Sequence, residues 1–266
     1  MNPKVWRGEL LRWYLRRARH PFKHYVVGHY WAWFTKPRVW IAYDAGLISV
    51  SLGDHVQQQI FFNDYYERPL IEWLQTHLRA SDVLWDVGAN IGAVTLVAAR
   101  LCAQVVAFEP DPRALELLQR HVRENELPNV TIVPHGLADT TGTATLHRGP
   151  SNNLGMSSIL SRSNGGSTST TVPVMRADDF AREHPDLEPT VLKIDVEGAE
   201  PLVLSGAQRL LASGRLRAIV FEDRVQQGRP ASPGILEHLP ASFRIDELGV
   251  SAPGVGDGLS NFLATR

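Results

Sequence analysis

An acid and two glycines fall within seven residues at Asp86-Val87-Gly88-Ala89-Asn90-Ile91-Gly92, directly after the apolar run Val83-Leu84-Trp85. Glycine lets a backbone turn sharply and lets a ligand approach closely, so a strand, this turn and a following helix would make a nucleotide-binding corner. The spacing departs from the G-x-G-x-x-G of dinucleotide folds: Asn90 occupies the second glycine position and the last glycine comes one residue early. Asp86, at the strand end, would repel a pyrophosphate but suits a ligand carrying an amino group and a sulfonium. S-adenosylmethionine carries both. Glu109 stands 21 residues after Gly88, close to the ~20 at which a carboxylate takes ribose hydroxyls. Ala138, within Gly136-Leu137-Ala138-Asp139, falls where an adenine-contacting loop is expected. The competing structural reading is a tight turn at the glycines and a helix cap at Glu109.

A second acidic stretch, Lys193-Ile194-Asp195-Val196-Glu197-Gly198-Ala199-Glu200, follows another apolar run. In a doubly wound sheet ligands lie outside the carboxyl ends of the strands, which sets Asp195, Glu197 and Glu200 beside the methyl donor. Were such a methyl to pass to an alcohol, the oxygen would have to align behind the sulfonium carbon and lose its proton as the bond forms. Asp195 is the first candidate for that base and also a cofactor contact, with Glu197 and Glu222 as alternatives. Glu200 before Pro201 reads equally as a helix start. Tyr66 and Glu67 could reach the methionine end of the cofactor, unless Glu67 only opens a helix. His121, His135 and His147 read as surface or loop residues rather than bases. No spacing among these acids specifies a metal site.

The elements that must position these groups follow from periodicity. Helices are predicted over 5–19, 67–78, 91–102, 112–125 and 201–212, and strands at 39–43, 47–52, 83–86, 105–108, 130–133, 190–194 and 218–221. Short apolar runs alternating with helices imply βαβ units and a mostly parallel sheet covered on both faces. Residues 149–170, rich in Ser, Gly, Asn and Thr, are predicted to form a long loop, either a flexible cover over the acceptor site or a solvated insertion.

The stretches 86–92 and 193–200, with Phe108-Glu109-Pro110, resemble the FkbM family of methyltransferases. Phe61-Phe62-Asn63-Asp64-Tyr65-Tyr66-Glu67, Gly155-Met156-Ser157-Ser158 and Asn261-Phe262-Leu263-Ala264 extend the resemblance over about residues 45–265, although a glycine common in the family near Asn63-Asp64 is missing. The resemblance implies a class I, Rossmann-like methyltransferase fold, with Tyr66, Glu67, Asp86, Gly88, Ala89, Asn90, Gly92, Glu109, Pro110, Ala138 and Asp195 around S-adenosylmethionine. It implies transfer to a hydroxyl of a sugar, polyketide or other small metabolite. The rival functions are N-methylation or protein methylation, and a catalytically silent scaffold that binds the cofactor without turnover.

Composition divides the 266 residues unevenly. Residues 1–40 hold nine Lys/Arg, one acid (Glu9) and five of the seven tryptophans; the remainder carries about −9. The acidic body argues against a nucleic-acid partner. Domain limits of 1–40 for a basic aromatic extension and 41–266 for the catalytic domain, with its core at 81–225, follow from that shift. In the extension, Trp6, Leu10, Trp13 and Tyr14 share one helix face and Arg12, Arg16 and Arg19 another. Trp and Arg together suit an anionic membrane interface; packing on the domain or on a partner subunit is the plainer alternative. The single Cys102 fits a buried hydrophobe in a reducing compartment. With neither a signal-like apolar run nor a membrane span, the expected location is cytoplasmic, with a peripheral place at the inner face of a membrane as the variant offered by residues 1–40.

Overall fold

The chain enters its sheet through an antechamber of short elements. In the computed structural model, which describes residues 4–17, 38–148, 153–160, 168–250 and 258–266, helix α1 (Trp6–Arg17) leads to a hairpin of β1 (Val39–Tyr43) and β2 (Gly46–Val50). Helices α2 (His55–Asn63) and α3 (Arg68–His77) follow. Strand and helix then alternate as β3 (Val83–Val87), α4 (Ala93–Ala98), β4 (Gln104–Phe108), α5 (Pro112–Glu124) and β5 (Val130–Val133). A small three-stranded sheet of β6 (Gly136–Leu137), β7 (Gly142–His147) and β8 (Ser169–Met175) interrupts the alternation. It resumes with α6 (Ala177–Glu183), β9 (Val191–Ile194), α7 (Glu200–Ser205), α8 (Gln208–Ala212) and β10 (Ala218–Gln226). The chain closes with β11 (Arg229–Pro230), α9 (Pro233–His238), β12 (Arg244–Val250) and β13 (Leu259–Thr265).

The main sheet runs β12-β13-β10-β9-β3-β4-β5. Neighbours from β10 to β5 are parallel, and β13 slots antiparallel between β10 and β12. From β3 the chain winds outward through β4 and β5, then returns to β9 on the other side of β3. That reversal creates the topological switch point between β3 and β9. This is the doubly wound, mostly parallel sheet that the alternating pattern implies.

Each strand splits its side chains between the two faces, because successive residues point opposite ways. Leu84, Val105, Val191 and Val220 join the core made with α2, α3 and α4. Val83, Trp85, Val106, Leu192 and Phe221 join the core under α6, α7, α8 and α9. Cys102 is buried in the first core and its thiol is pushed up to about 11 by that burial, so it behaves as a small hydrophobe.

Several boundaries differ from the periodic reading. The helix expected over 91–102 spans only Ala93–Ala98, because Asn90 and Gly92 hold left-handed φ values of 51° and 90° and delay its start. The helix expected over 201–212 breaks at Gly206-Ala207. There a Cβ on Gly206 would lie 2.0 Å from the Ala138 carbonyl. Asp178 then caps the second piece, accepting from Arg209 N at 2.9 Å and Leu210 N at 3.0 Å. Helix α2 has no sequence counterpart; Asp54 caps it through Gln57 N at 3.0 Å, and its three consecutive glutamines blur the apolar period.

His121 also departs from expectation. It is fully buried on α5, not at the surface, and joins the hairpin to the glycine turn. Its Nε2 accepts from Ser49 N at 3.0 Å, so Nδ1 carries the proton and donates to the Ile91 carbonyl at 2.7 Å. Burial lowers its pKa from 6.5 to about 4. The unfolded chain therefore binds a proton through that window and the folded chain does not. Stability from this residue is complete above pH 6.5 and falls as pH drops toward 4, by up to about 3 kcal/mol. His121→Phe should lower the thermal midpoint at pH 7 and flatten its decline between pH 6.5 and 4. An unchanged pH dependence would show that His121 is not the titrating group.

Candidate active site

The site is assembled by strand alternation at the switch point. Because Leu84 and Val191 face the α3 and α4 side, Asp86 and Lys193, two residues further along, face that side too. The β3–β9 register sets these two directly opposite one another. Lys193 Nζ lies 3.1 Å from Asp86 Oδ1, donates to the Gly88 carbonyl at 3.1 Å and stands 3.6 Å from Asp195 Oδ2. Thr95 Oγ1, on α4, donates to the other Asp86 oxygen at 2.6 Å. Burial pulls the Lys193 pKa down, but Asp86, Asp195 and Glu67 overcome it and hold the ammonium charged above its ordinary range.

The two strand ends touch through backbone. Asp195 N donates to the Val87 carbonyl at 3.1 Å. A Cβ on Gly88 would sit 1.9 Å from the Asp195 carbonyl oxygen, and Gly88 has φ +77°, so no other residue fits without moving β9. After Asp195 the backbone turns through Glu197 (φ 57°) and Gly198 (φ 98°). That left-handed pair is braced by Glu200, whose Oε1 accepts from Val196 N at 2.9 Å, and by Ser158 Oγ donating to the Glu197 carbonyl at 3.0 Å. Burial raises the Glu200 carboxyl to about 7. Its place as turn support agrees with the helix-start reading.

Outside these strand ends lies a cleft open to solvent. One end is apolar, walled by Phe108, Pro110, Leu137 and Leu146. Glu109 sits beside it, its two oxygens accepting from Asn90 N at 2.7 Å and Asp111 N at 2.8 Å. Burial raises Glu109 to about 7 against the pull of those two amides. At the other end Tyr66, Asp195 and Glu197 line the cleft. Behind them Glu67 is buried, accepts from Asn261 Nδ2 at 3.1 Å, and is pushed to about 8 by burial and by the charges of Asp195 and Glu222. Burial and the same acids raise the Tyr66 phenol well above its usual range, so it is a neutral hydroxyl. Among the described residues no group of three or more His, Cys, Asp or Glu is disposed to hold a metal ion.

Seven residues singled out from the sequence meet in this cleft: Tyr66, Gly88, Asn90, Glu109, Pro110, Asp195 and Glu197. The others stand behind its lining. Asp86 has no exposed surface and is matched by Lys193 and Thr95, so the expected direct contact with an amino group is replaced by an internal ion pair. Ala89 and Gly92 shape the turn: Ala89 N bonds the Phe108 carbonyl at 3.0 Å, and Gly92 packs against Leu118. Ala138 is buried, its amide bonded to the Met175 carbonyl and its own carbonyl against Gly206, and Gly136 and Leu137 line the cleft in its place. Glu67 backs the lining while bonded to Asn261, and Glu222 acts on Tyr66 through its charge.

The segment 153–160 forms one wall of the cleft. Leu154 N donates to Asp54 Oδ2 at 2.8 Å, and Ser158 exchanges two backbone bonds with His147 at 2.8 and 3.0 Å. Leu154, Gly155, Ser157 and Ile159 face inward, so this part of the expected cover is a tied wall. Residues 149–152 and 161–167 of that loop lie outside the described residues. Lys193 and Asn261 stand in stretches singled out from the sequence but carried no assigned role there. The available signal for Lys193 was a lysine inside an otherwise apolar strand, which demands a buried counter-charge.

Comparison with known proteins bears on this cleft. The family model described as "Methyltransferase FkbM domain" matches residues 86–244. The chain is 30% identical over 149 residues to the hexuronic acid methyltransferase AglP of Haloferax volcanii, covering 55% of this chain and 59% of that protein. It is 31% identical over 160 residues to the methyltransferase sdnD of Sordaria araneosa, covering 49% and 62%. The matches thus span about three-fifths of those relatives' length. A crystal structure of methyltransferase FkbM from Methylobacillus flagellatus KT overlays with a TM-score of 0.48 at 20% identity, covering 79% of this chain and 52% of that one.

The geometry makes Lys193 the test of how the site is held. Lys193→Met leaves Asp86 buried and unpaired and should destabilise the protein by about 3–5 kcal/mol. Adding Asp86→Asn should restore part of that loss. Denaturant unfolding of the single and double variants measures both, and a single variant within about 1 kcal/mol of the parent would mean the pair does not hold the strand ends.

Proposed function

The chain belongs to the FkbM methyltransferase family, and on that premise we propose that it transfers the methyl group of S-adenosylmethionine to a hydroxyl oxygen of a sugar, polyketide or other small metabolite. The observation that carries this reading is the two-ended chemistry of the switch-point cleft. It has an apolar slot with a buried carboxylate at one end and a nest of acids around Tyr66 at the other. The relative that names a hexuronic acid supports the sugar class.

The residues present fit the cofactor. Phe108, Pro110 and Leu137 offer apolar surface for an adenine, and Glu109 keeps lone pairs for ribose hydroxyls after accepting its two amides. Asn90 Oδ1 is buried without a partner among the described residues, an acceptor suited to a polar ligand group. Asp195 and Glu197 supply negative charge for an ammonium and a sulfonium. When bound, S-adenosylmethionine supplies an electrophilic methyl carbon.

The chain's own residues then orient the acceptor and take its proton. Lys193, paired with Asp86, holds Asp195 by charge at the edge of the cleft, where Asp195 Oδ accepts the hydroxyl proton as the new C–O bond forms. Glu67, with its pKa near 8, keeps its proton at neutral pH and adds no further charge behind Asp195. Tyr66, a neutral hydroxyl, can donate to or accept from an acceptor oxygen and help fix its line of approach. Glu197 and Glu222 remain alternative bases.

Three measurements test this. Glu109→Ala should weaken S-adenosylmethionine binding by about 1.5–3 kcal/mol in titration calorimetry. In the parent, affinity should improve as pH rises through about 7, because hydroxyl donors favour the ionised carboxylate, and the variant should lose that dependence. Asp195→Asn, with Glu197 still facing the cleft, should weaken cofactor binding only modestly and lower kcat at saturating cofactor by about 10²–10⁴-fold with an accepted hydroxylated substrate. A mass-shift screen against hydroxylated metabolites identifies that substrate. Cofactor binding with no S-adenosylhomocysteine formed from any acceptor would favour a silent scaffold, and methylated amines alone would favour N-transfer.

A further inference from the structure

Helix α1 is seated the opposite way round from its amphipathic pattern. Val5, Gly8, Leu11 and Arg12 are the inward residues. A Cβ on Gly8 would lie 2.2 Å from the Trp40 carbonyl oxygen, so the helix rests on β1 at backbone contact. Arg12, only 5% exposed, donates to the Phe61 carbonyl at 2.8 Å, contacts the Ala42 carbonyl at 3.3 Å and pairs with Asp64 at 2.5 Å. A guanidinium so fully bonded fixes the rotation of the helix about its axis. Trp6, Leu10 and Trp13, at i, i+4 and i+7, are thereby turned outward with 48%, 56% and 56% of their surface exposed.

Three of the six exposed large hydrophobic side chains among the described residues therefore stand on one helix stripe. Clustering of that kind marks an interaction surface, whereas single exposed apolar residues do not. Its charge is one-sided. Arg7 stacks over the Trp6 ring at 5.4 Å, and Arg7 and Arg17 are exposed. Glu9, the one acid of residues 1–40, is drawn inward, where Oε1 accepts from Ala42 N at 3.0 Å and meets Arg12 at 3.3 Å. Arg19, Lys23 and Lys36 continue the basic sequence in residues that lie outside the described ones.

We propose that the Trp6–Leu10–Trp13 face of α1 docks on an anionic phospholipid surface, with the indoles at headgroup depth and the flanking arginines on lipid phosphates. Complementary charge favours this occupant: an outward stripe with tryptophans and arginines but no acid suits an interface that is apolar below and negative above. The helix lies along the surface rather than through it, since no helix among the described residues is long and apolar enough to cross a membrane.

The test is co-sedimentation of the full chain with vesicles of phosphatidylcholine alone and with about a third of phosphatidylglycerol. Binding to the anionic vesicles only, weakened by salt, is the expected result. A Trp6→Ser, Leu10→Ser, Trp13→Ser triple variant should lower the partition coefficient by about 10-fold or more while keeping the parent's thermal midpoint, since these side chains support no core. No binding by the parent overturns the proposal. So does equal partitioning of parent and triple variant. A parent that sediments as a dimer while the triple variant sediments as a monomer would assign the face to a second copy instead.

Discussion

A single buried ammonium holds the working end of this molecule together. Lys193 sits where β3 and β9 run side by side at the switch point, and it meets the Asp86 carboxylate, the Gly88 carbonyl and the Asp195 carboxylate at once. Each contact belongs to a different part of the site: the strand, the glycine turn and the catalytic candidate. A buried charge is tolerable only when paired and hydrogen-bonded, so the lysine constrains all three at the same time. Gly88 completes the arrangement by having no side chain where the Asp195 carbonyl stands.

The same economy of charge explains the acids that remain. Glu67, Glu109 and Glu200 are all buried, and burial raises each carboxyl toward neutral pH. Glu109 and Glu200 are compensated by backbone amides of the very turns they brace, at Asn90 and Asp111 and at Val196. Glu67 has Asn261 from the last strand. The negative charge kept facing the cleft is thus concentrated on Asp195 and Glu197, where a cationic ligand and a proton-donating acceptor would meet it.

The elements before the sheet are tied to that centre by polar contacts. His121 joins Ser49 of the hairpin to Ile91 of the glycine turn, and Asp54 caps α2 while also holding Leu154 of the cleft wall. Arg12 anchors α1 to α2 and β1. Each is a buried polar group shared between segments distant in sequence, and each fixes an orientation that apolar packing alone would leave looser.

Local sequence determined the parallel core, the glycine turn and Glu109, because periodicity, glycine placement and strand-end acids act over a few residues. It also located Asp195, Glu197 and Tyr66. Only the tertiary structure decided that Asp86 faces Lys193 instead of the cleft, since strand alternation sets the face but the β3–β9 register chooses the neighbour. The same holds for Ala138, displaced from the lining by the close approach of Gly206, and for the helix expected over 201–212, broken by an Asp178 cap that arrives from another helix. Helix α1 shows the limit most plainly. Its apolar stripe suited either packing on the domain or a partner, or a membrane interface, and a buried arginine with several long-range acceptors turns the tryptophans outward. Amphipathicity records what a helix offers; which face is buried depends on partners that are distant in the chain.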